Sequence, residues 1–316
     1  MIHSVATPWA WAGFLALVLG LLALDLGVFH REDRPVGTRE ALAWTAVWVA
    51  VALAFGGVVW WMAGPDDALD YLTGYLVEKS LSVDNLFVFV VIFGALGIPA
   101  ALQHRVLYWG ILSALVLRGA MIWAGVALLA RFGWLLYLFG AFLLVTGVRL
   151  ALPRHGEPHP ERSPAYRVLR RVVPSTPRLE GHRFFVREGG RLLATPLFLA
   201  LALVEVSDVV FALDSIPAIF GITLDPFIVF TSNVFAILGL RSLYFALATM
   251  LQRFTALKYG LAAVLVFIGA KMLAAPWVHV PPAISLAVVL ALLGGSVLVS
   301  VVRSRRAGSP AAAKEP

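Results

Sequence analysis

Carboxylates occur in two stretches of this sequence that are otherwise apolar enough to enter a bilayer. The stretches are EKSLSVDN (78–85) and VEVSDVVFALDSIPAIF (204–220). Each charged side chain at the centre of a membrane helix costs at least about 2.5–3.5 kcal/mol on insertion scales, so these groups must face protein or water and need partners. Carboxylate and amide oxygens suit Mn²⁺, Mg²⁺ and Ca²⁺, and buried carboxylates can also carry protons. The two stretches therefore predict a cation or proton site whose candidate ligands are Glu78, Asp84, Asn85, Glu205, Asp208 and Asp214.

Helical spacing decides which polar groups of the first stretch share a face. At about 100° per residue, Glu78, Ser82 and Asn85 lie on one face of a helix. Asp84 lies about 120° away, beside Ser80. The acids of this stretch therefore do not form one stripe, so the helix either touches two neighbours or is distorted.

The second stretch also presents two sides and contains a helix breaker. Its polar groups divide into Glu205, Asp208 and Ser215 on one side, and Ser207 and Asp214 on the other. Pro217 lacks an amide donor and clashes with the carbonyl of Leu213, so it predicts a distorted helix. The freed Leu213 carbonyl lies next to Asp214 in the chain and would add an oxygen ligand to the site.

The residue types that are missing narrow the chemistry. The chain has no cysteine, its seven histidines fall in loops, tails or helix ends, and no methionine lies within the acid stretches. A thiolate metal site is therefore excluded and an imidazole-rich copper or zinc site is not expected, while Mn²⁺, Mg²⁺, Ca²⁺ and protons remain open. No organic-cofactor motif and no Gly-x-Gly-Asp protease motif is present, so no enzymatic activity is expected.

Composition indicates an all-α polytopic membrane protein that crosses the bilayer about nine times. Of 316 residues, 60% are hydrophobic and only 14% are charged. Because a bilayer core needs about 20 apolar residues per helix, hydropathy places the spans near 9–29, 41–63, 69–94, 107–130, 133–152, 196–220, 226–250, 257–275 and 281–302. The net charge of +7 resides in the connections, so the expected partner is the lipid bilayer and not nucleic acid.

Basic residues in the connections predict the orientation. One set of connections and the tail hold nineteen Lys and Arg residues, whereas the alternate set holds only Arg131. The positive-inside rule then places the N-terminus outside and the C-terminus in the cytoplasm. Asp66, Asp67 and Asp70 are expected in a solvated outer loop.

The chain is accordingly divided into transmembrane residues 1–152, a basic cytoplasmic loop 153–195, transmembrane residues 196–302 and a disordered tail 303–316. The loop is expected to begin irregularly and to end in a hairpin around Gly189-Gly190. It is a basic connector, with docking of a protein partner as the alternative.

An internal repeat relates spans three to five to spans six to eight. GILSALVLRGAMIW (110–123) is similar to NVFAILGLRSLYF (233–245), and LLVTGVRL (143–150) is similar to LVFIGAKM (265–272). The aligned pairs are Arg118 with Arg241, Arg149 with Lys271, Glu78 with Asp208, Asp84 with Asp214 and Asn85 with Ser215. An alternative pairing of Glu78 with Glu205 remains open. Because the offset is three spans, the copies are inverted, and inverted repeats in transporters place the substrate site at the midplane. The alternative role for the basic residues of the repeat is to pair with the acids as structural partners.

These residues resemble a known family. EKSLSVDNLFVF, EVSDVVFALDSIPAIF, DPFIVFTSNVFAILGLRSLYF and FIGAKM resemble the signatures of the TerC family of bacterial inner-membrane proteins. GYLVEKS and FGAFLLVTGVRL are similar to its Alx-type members, which are associated with alkaline pH and manganese. The resemblance implies Mn²⁺ export along an ion path formed by the six candidate ligands.

The sequence thus predicts an inner-membrane secondary transporter that exports divalent cations, with Mn²⁺ favoured and protons as the candidate coupling ion. Two alternatives belong to other classes. One is a membrane factor that delivers metal to secreted proteins, and the other is a resistance protein for tellurium or alkaline stress without transport of its own.

Overall fold

The computed structural model describes residues 4–29, 37–152, 164–188, 190–247 and 257–307, and it is all-α apart from one hairpin. The helices are α1 (Pro8–Phe29), α2 (Thr38–Ala63), α3 (Pro65–Ala95), α4 (Ala100–Arg131), α5 (Leu135–Ala151), α6 (Pro164–Val172), α7 (Pro196–Phe220), α8 (Pro226–Ile237), α9 (Leu240–Leu247), α10 (Leu257–Ala274) and α11 (Pro282–Ala307). The strands are β1 (Phe185–Glu188) and β2 (Arg191–Ala194). The predicted fold class, an all-α polytopic membrane protein, is confirmed.

The helices that could cross a membrane fall near the predicted spans. Among the described residues, α2, α4, α7, α10 and α11 are long and apolar enough to do so, and α8 with α9 makes a sixth if the bent pair is one span. Pro8–Leu24 of α1 and all of α5 are shorter apolar helices, and α3 carries the acids of EKSLSVDN within its 31 residues. The count of nine spans therefore stays a prediction.

The helix break lies at a different residue from the predicted one. Helix α7 continues through Pro217 to Phe220, so the helix is not broken at this proline. Pro217 forfeits one amide donor close to the helix end, and its carbonyl still accepts a hydrogen bond from Gly221 at 3.0 Å. The predicted span 226–250 is broken instead, because α8 and α9 meet at a 40° bend. At the bend, Gly239 adopts φ +80°, and a Cβ there would lie only 2.6 Å from Trp48.

The connection between α5 and α7 is more ordered than predicted. Its hairpin is confirmed, with Phe185 paired to Ala194 and Glu188 to Arg191. The structure adds the short helix α6, whose Tyr166 and Leu169 pack against a buried cluster to which α3, α4, α7, α8 and α9 contribute. Residues 153–163 lie outside the described part of the chain.

The C-terminal boundary also differs from the prediction. Helix α11 continues to Ala307, so the first five residues of the tail predicted as disordered are helical. The rest of that tail, 308–316, lies outside the described residues.

Helices α5 and α10 approach each other so closely that glycine is required at the contact. A Cβ on Gly140 would lie 3.1 Å from the Gly269 carbonyl oxygen, and one on Gly147 would lie 2.8 Å from the Ala262 carbonyl oxygen. Gly140 precedes Ala262 by 122 residues, and Gly147 precedes Gly269 by the same number. Replacing both residues of the Gly140–Gly269 contact by their equivalents therefore gives the Gly147–Ala262 contact. Such reciprocal contacts are the pattern expected around a two-fold axis.

Other helix pairs follow the same exchange. Helix α3 packs against α8, while α7 packs against α4, and α3 and α7 also contact each other. This is the packing that an inverted repeat of spans three to five on spans six to eight would produce. It brings the two acid-bearing helices together in the middle of the bundle.

Candidate functional site

A buried arginine joins the two acid-bearing helices. Arg118 of α4 donates from Nε to Asp208 Oδ2 at 3.0 Å and from Nη2 to Asp208 Oδ1 at 2.7 Å, so its pairing with this α7 carboxylate is bidentate. Its Nη1 donates to Glu78 Oε1 of α3 and, at 3.4 Å, to the Ser215 hydroxyl oxygen. Glu78 and Asp208, which the repeat aligns, therefore meet on one guanidinium. We call Glu78, Arg118 and Asp208 the ion triad.

The ion triad is almost completely withdrawn from solvent. Glu78 is 0% exposed, Arg118 1% and Asp208 6%. Bidentate guanidinium–carboxylate pairs are strong because both hydrogen bonds are charge-assisted and geometrically matched. The alternative interpretation of the basic residues, as partners of the acids, thus describes Arg118 well.

The ion triad carries one more carboxylate than guanidinium. With every group ionised, its three side chains sum to a net charge of −1 in a place where an uncompensated charge costs several kcal/mol. Glu78 Oε2 and the hydroxyl of Ser82, one turn further along α3, have no hydrogen-bond partner in the described part of the chain. Buried polar atoms are nearly always paired, so the Glu78 oxygen and the Ser82 hydroxyl fit a proton or a cation held beside the triad.

A second group of candidate ligands lines a cavity of about 280 Å³, here called the Asp214 cavity. Helices α3, α5, α7 and α10 form its walls, with the lining residues Leu81, Asn85, Thr146, Arg149, Phe211 and Asp214. The Thr146 side chain hydrogen-bonds the Asp214 carboxylate. Carboxylate, hydroxyl and amide oxygens therefore converge on a space large enough for a partly hydrated cation.

Glu205 occupies a third place. Ser113 of α4 donates a hydrogen bond to Glu205 Oε1, and Glu205 Oε2 has no hydrogen-bond partner among the described residues. Together with the Arg118–Asp208 pairing, this contact ties α4 to α7 through two polar contacts.

The predicted ligands are thus divided among three places. Within the described residues, no three His, Asp or Glu side chains are grouped so that they could hold a metal ion. The side chain of Asp84 lies outside the described part of the chain.

The supporting residues behave differently from one another. Ser80 and Ser207 donate to carbonyls of their own helices, those of Leu76 and Leu203, at 2.7 and 2.8 Å. The side chain of Leu213 is 57% exposed. Arg241 is buried on α9, beyond the helix break.

Sequence reasoning missed the role of Lys79. Its ammonium donates to the carbonyls of Ala236 and Leu238, at 3.1 and 3.4 Å, where α8 ends at the bend. A cation is favourable at a helix C-terminus because the last carbonyls there lack intrahelical partners. The glycine of the AILGLRS stretch was the sequence signal for the helix break that Lys79 caps. Glycines are common in membrane helices, so this one did not stand out as a break.

Comparison with known proteins now decides the family. The sequence model of the family described as "Integral membrane protein TerC family" matches residues 63–308, which include every candidate ligand. The chain belongs to the TerC family. This confirms the resemblance seen in the two acid stretches.

Relatives of this TerC-family chain extend the match over nearly its whole length. A protein of Myxococcus xanthus, described as uncharacterized membrane protein STKORF319, is 61% identical over 304 residues, covering 96% of this chain and 95% of its own. A protein of Escherichia coli K12, whose name contains the words "membrane-bound redox modulator Alx", is 50% identical and covers 92% and 94%. A membrane protein of Rickettsia bellii is 41% identical and covers 93% and 97%. No solved structure matches the chain.

Proposed function

We propose that this TerC-family chain is a bacterial inner-membrane secondary transporter that exports a divalent cation, with Mn²⁺ as the favoured ion, in exchange for protons. The observation that carries the proposal is the uncompensated carboxylate of the ion triad, where Glu78 is fully buried and one of its oxygens is unpartnered. Ionisable groups within membrane helices commonly mark ion or proton pathways, because their burial costs so much free energy that they are rare without a function.

The Asp214 cavity supplies the cation-binding part of the proposal. Asp214, Thr146 and Asn85 offer oxygen ligands of the type that Mn²⁺ accepts, and none of them is a soft ligand. The cavity holds a single described carboxylate, so we expect weak binding with several retained waters, which suits a transported ion that must also leave. Arg149 lines the same cavity and limits its affinity for cations through charge repulsion.

The ion triad supplies the proton-carrying part. Arg118 can neutralise one of its two carboxylates, and the bidentate geometry assigns that role to Asp208. Glu78 is then the group that gains and loses a proton. The net charge of the triad alternates between 0 and −1 as it does so, which couples proton occupancy to the contact between α3 and α4.

The membrane location and orientation follow from the loop charges. The nineteen-to-one distribution of Lys and Arg supports an inner-membrane protein with the ends of α5 and α7 nearest the 153–195 connection on the cytoplasmic side. The Asp214 cavity, which contains Arg149 near the end of α5, would then open toward the cytoplasm.

The name of the E. coli relative speaks of redox modulation, and since this chain has no cysteine, we place any redox role of this chain downstream of cation movement.

The test is Mn²⁺ flux into proteoliposomes that contain the purified chain and a pH gradient. We expect Asp214→Asn and Glu78→Gln to abolish flux while the elution profile in gel filtration is unchanged. Glu188→Gln, on the exposed edge of the hairpin, is the matched control and should transport normally. Wild-type flux by Asp214→Asn would reject the site. A purified wild type that moves no Mn²⁺ but retains a stable protein partner would instead support the metal-delivery alternative.

A further inference from the structure

A second polar cavity lies at the opposite end of the α5–α10 pair from the Asp214 cavity. It has a volume of about 200 Å³, and we call it the Asp70 cavity. Its lining includes Asp70, Phe220, Gly221, Lys271, Met272 and His279. These residues come from the beginning of α3, the ends of α7 and α10 and the connection after α10, whereas the Asp214 cavity takes later α3 residues and earlier α7 and α10 residues.

The two cavities share one pair of equivalent positions of the repeat. Lys271 and Met272 follow Arg149 and Leu150 by 122 residues, and each pair lines its own cavity. The same offset of 122 residues relates the reciprocal glycine contacts between α5 and α10. The backbone contacts of α5 and α10 and these two lining positions of each cavity therefore obey one relation.

The charges of the Asp70 cavity are arranged to leave a carboxylate oxygen available. Asp70 Oδ1 is buried without a hydrogen-bond partner among the described residues. The ammonium of Lys271 donates to the Ser285 hydroxyl oxygen of α11 at 3.1 Å, and its charge also interacts with that of the Asp70 carboxylate. His279 adds an imidazole that, when neutral, is a ligand for divalent transition metals.

A buried apolar layer separates the two cavities. Val77, Leu143, Ala218 and Ile268 belong to one hydrophobic cluster, and each is at most 1% exposed. Along α3, Asp70 and Leu81 are eleven residues apart, which corresponds to about 16 Å at the helical rise. An ion that passes from one cavity to the other must therefore cross this layer.

We propose that the Asp70 cavity is an outer binding station for the transported divalent cation, and that Val77, Leu143, Ala218 and Ile268 form the gate between it and the Asp214 cavity. The proposal rests on the proposed transport function and adds to it a second station and a barrier. Val77 directly precedes Glu78, so the turn of α3 that contributes Glu78 to the ion triad also contributes a residue to the gate.

Because the chain has no native cysteine, the test uses single-cysteine variants without prior engineering. Ala275→Cys reports on the Asp70 cavity and Thr146→Cys on the Asp214 cavity. Right-side-out spheroplasts and inverted vesicles are treated with a membrane-impermeant maleimide, with and without millimolar MnCl₂. Trp277→Cys, which is exposed and does not line the cavity, is the control for unspecific effects of the metal.

We expect Ala275→Cys to be labelled from outside and Thr146→Cys only from inside. Mn²⁺ should slow labelling of Ala275→Cys at least threefold, leave Trp277→Cys unchanged, and lose this effect when Asp70→Asn is added. In a Leu143→Ala background, Thr146→Cys should become labelled from outside as well, because the gate is thinned.

Protection that persists in Asp70→Asn, or labelling of Ala275→Cys only from inside, would overturn the outer station. If wild-type vesicles transport Mn²⁺ while Asp70 proves irrelevant to protection, the station fails and the proposed function stands. If protection depends on Asp70 but vesicles move no Mn²⁺, the cavity is a cation site and the transport function fails.

Discussion

Unequal bonding within the ion triad predicts unequal consequences for removing its members. Asp208 receives two hydrogen bonds from Arg118, at 3.0 and 2.7 Å, whereas Glu78 receives one and retains an unpartnered oxygen. Hydrogen bonds to charged groups contribute about 1.5–3 kcal/mol each. Asp208→Asn should therefore lower the free energy of unfolding by about 3 kcal/mol or more, because an amide cannot accept both bonds.

Glu78→Gln should cost much less. It loses one charge-assisted bond, but it also removes the excess negative charge and leaves Arg118 and Asp208 as a balanced pair. We expect a loss below about 1.5 kcal/mol. Arg118→Gln is the opposite extreme, since it leaves two buried carboxylates unpaired, and breaking a buried pair in this way costs about 3–5 kcal/mol.

The assay is unfolding of the purified chain by SDS in mixed micelles, followed by the fluorescence of its ten tryptophans. Glu205→Gln is the matched control, because Glu205 accepts a single described hydrogen bond, from Ser113, and lies outside the triad. Glu78→Gln should then be a stable protein that no longer shows Mn²⁺ flux driven by a pH gradient. A Glu78→Gln variant as unstable as Asp208→Asn would refute the charge count, and one that stays proton-coupled would refute the proton role.

Three further predictions concern other parts of the bundle. Gly147→Val should destabilise the chain by about 2–3 kcal/mol in the same assay, because its Cβ would lie 2.8 Å from a carbonyl oxygen of α10; Gly57→Val, with open space at its Cβ, should have little effect. Lys79→Met should cost about 1–3 kcal/mol, because it strips the cap from the end of α8; protection of α8 amides from hydrogen exchange should fall with it, and unchanged protection would contradict the capping role. Burial, followed by the nearby charges of Asp225 and Asp66, raises the pKa of Asp67 above its ordinary value of 3.8, so its ionisation destabilises the folded state as the pH rises above that value. Asp67→Asn should therefore raise the melting temperature at neutral pH and have no effect near pH 3; equal effects at both pH values would contradict the shift.

The sequence predicted that polar groups meet within the bundle better than it predicted their arrangement. Acids in apolar helices indicate a polar site, because their desolvation cost requires partners. Acids at equivalent positions of the predicted repeat indicate that the two helices are related. Glu78 and Asp208 were aligned on that basis, and both contact Arg118 in the structure. Which of several basic residues would take both acids was not predictable, because helical rotation and packing distance are set by small residues such as Gly147, whose partners are distant in the chain.

Two residues were misjudged for identifiable reasons. Pro217 was given a helix break, but a proline near a helix end loses only one hydrogen bond, and the helix continues. Asp70 was placed in a solvated loop because it follows Asp66 and Asp67 in an acidic segment. In the structure it lies on the second turn of a helix that begins at Pro65, and the ends of α7 and α10 cover it. The packing of the α7 and α10 ends against Asp70 could not be inferred from local composition.

The two segments that the predicted repeat relates differ in one respect. Helix α4 is continuous from Ala100 to Arg131, whereas its counterpart is bent between α8 and α9. Two consecutive residues of α3 contact the straight helix and the bent one. Glu78 bonds Arg118 on the straight helix, and Lys79 bonds the carbonyls at the end of α8. A movement of this single turn of α3 that withdraws Glu78 from Arg118 must also withdraw Lys79 from the bend. In transporters built from inverted repeats, alternating access follows when one repeat moves against the other around a fixed site. The turn at Glu78-Lys79 therefore joins the ion triad, the helix bend and the buried residue Val77 through consecutive residues of α3.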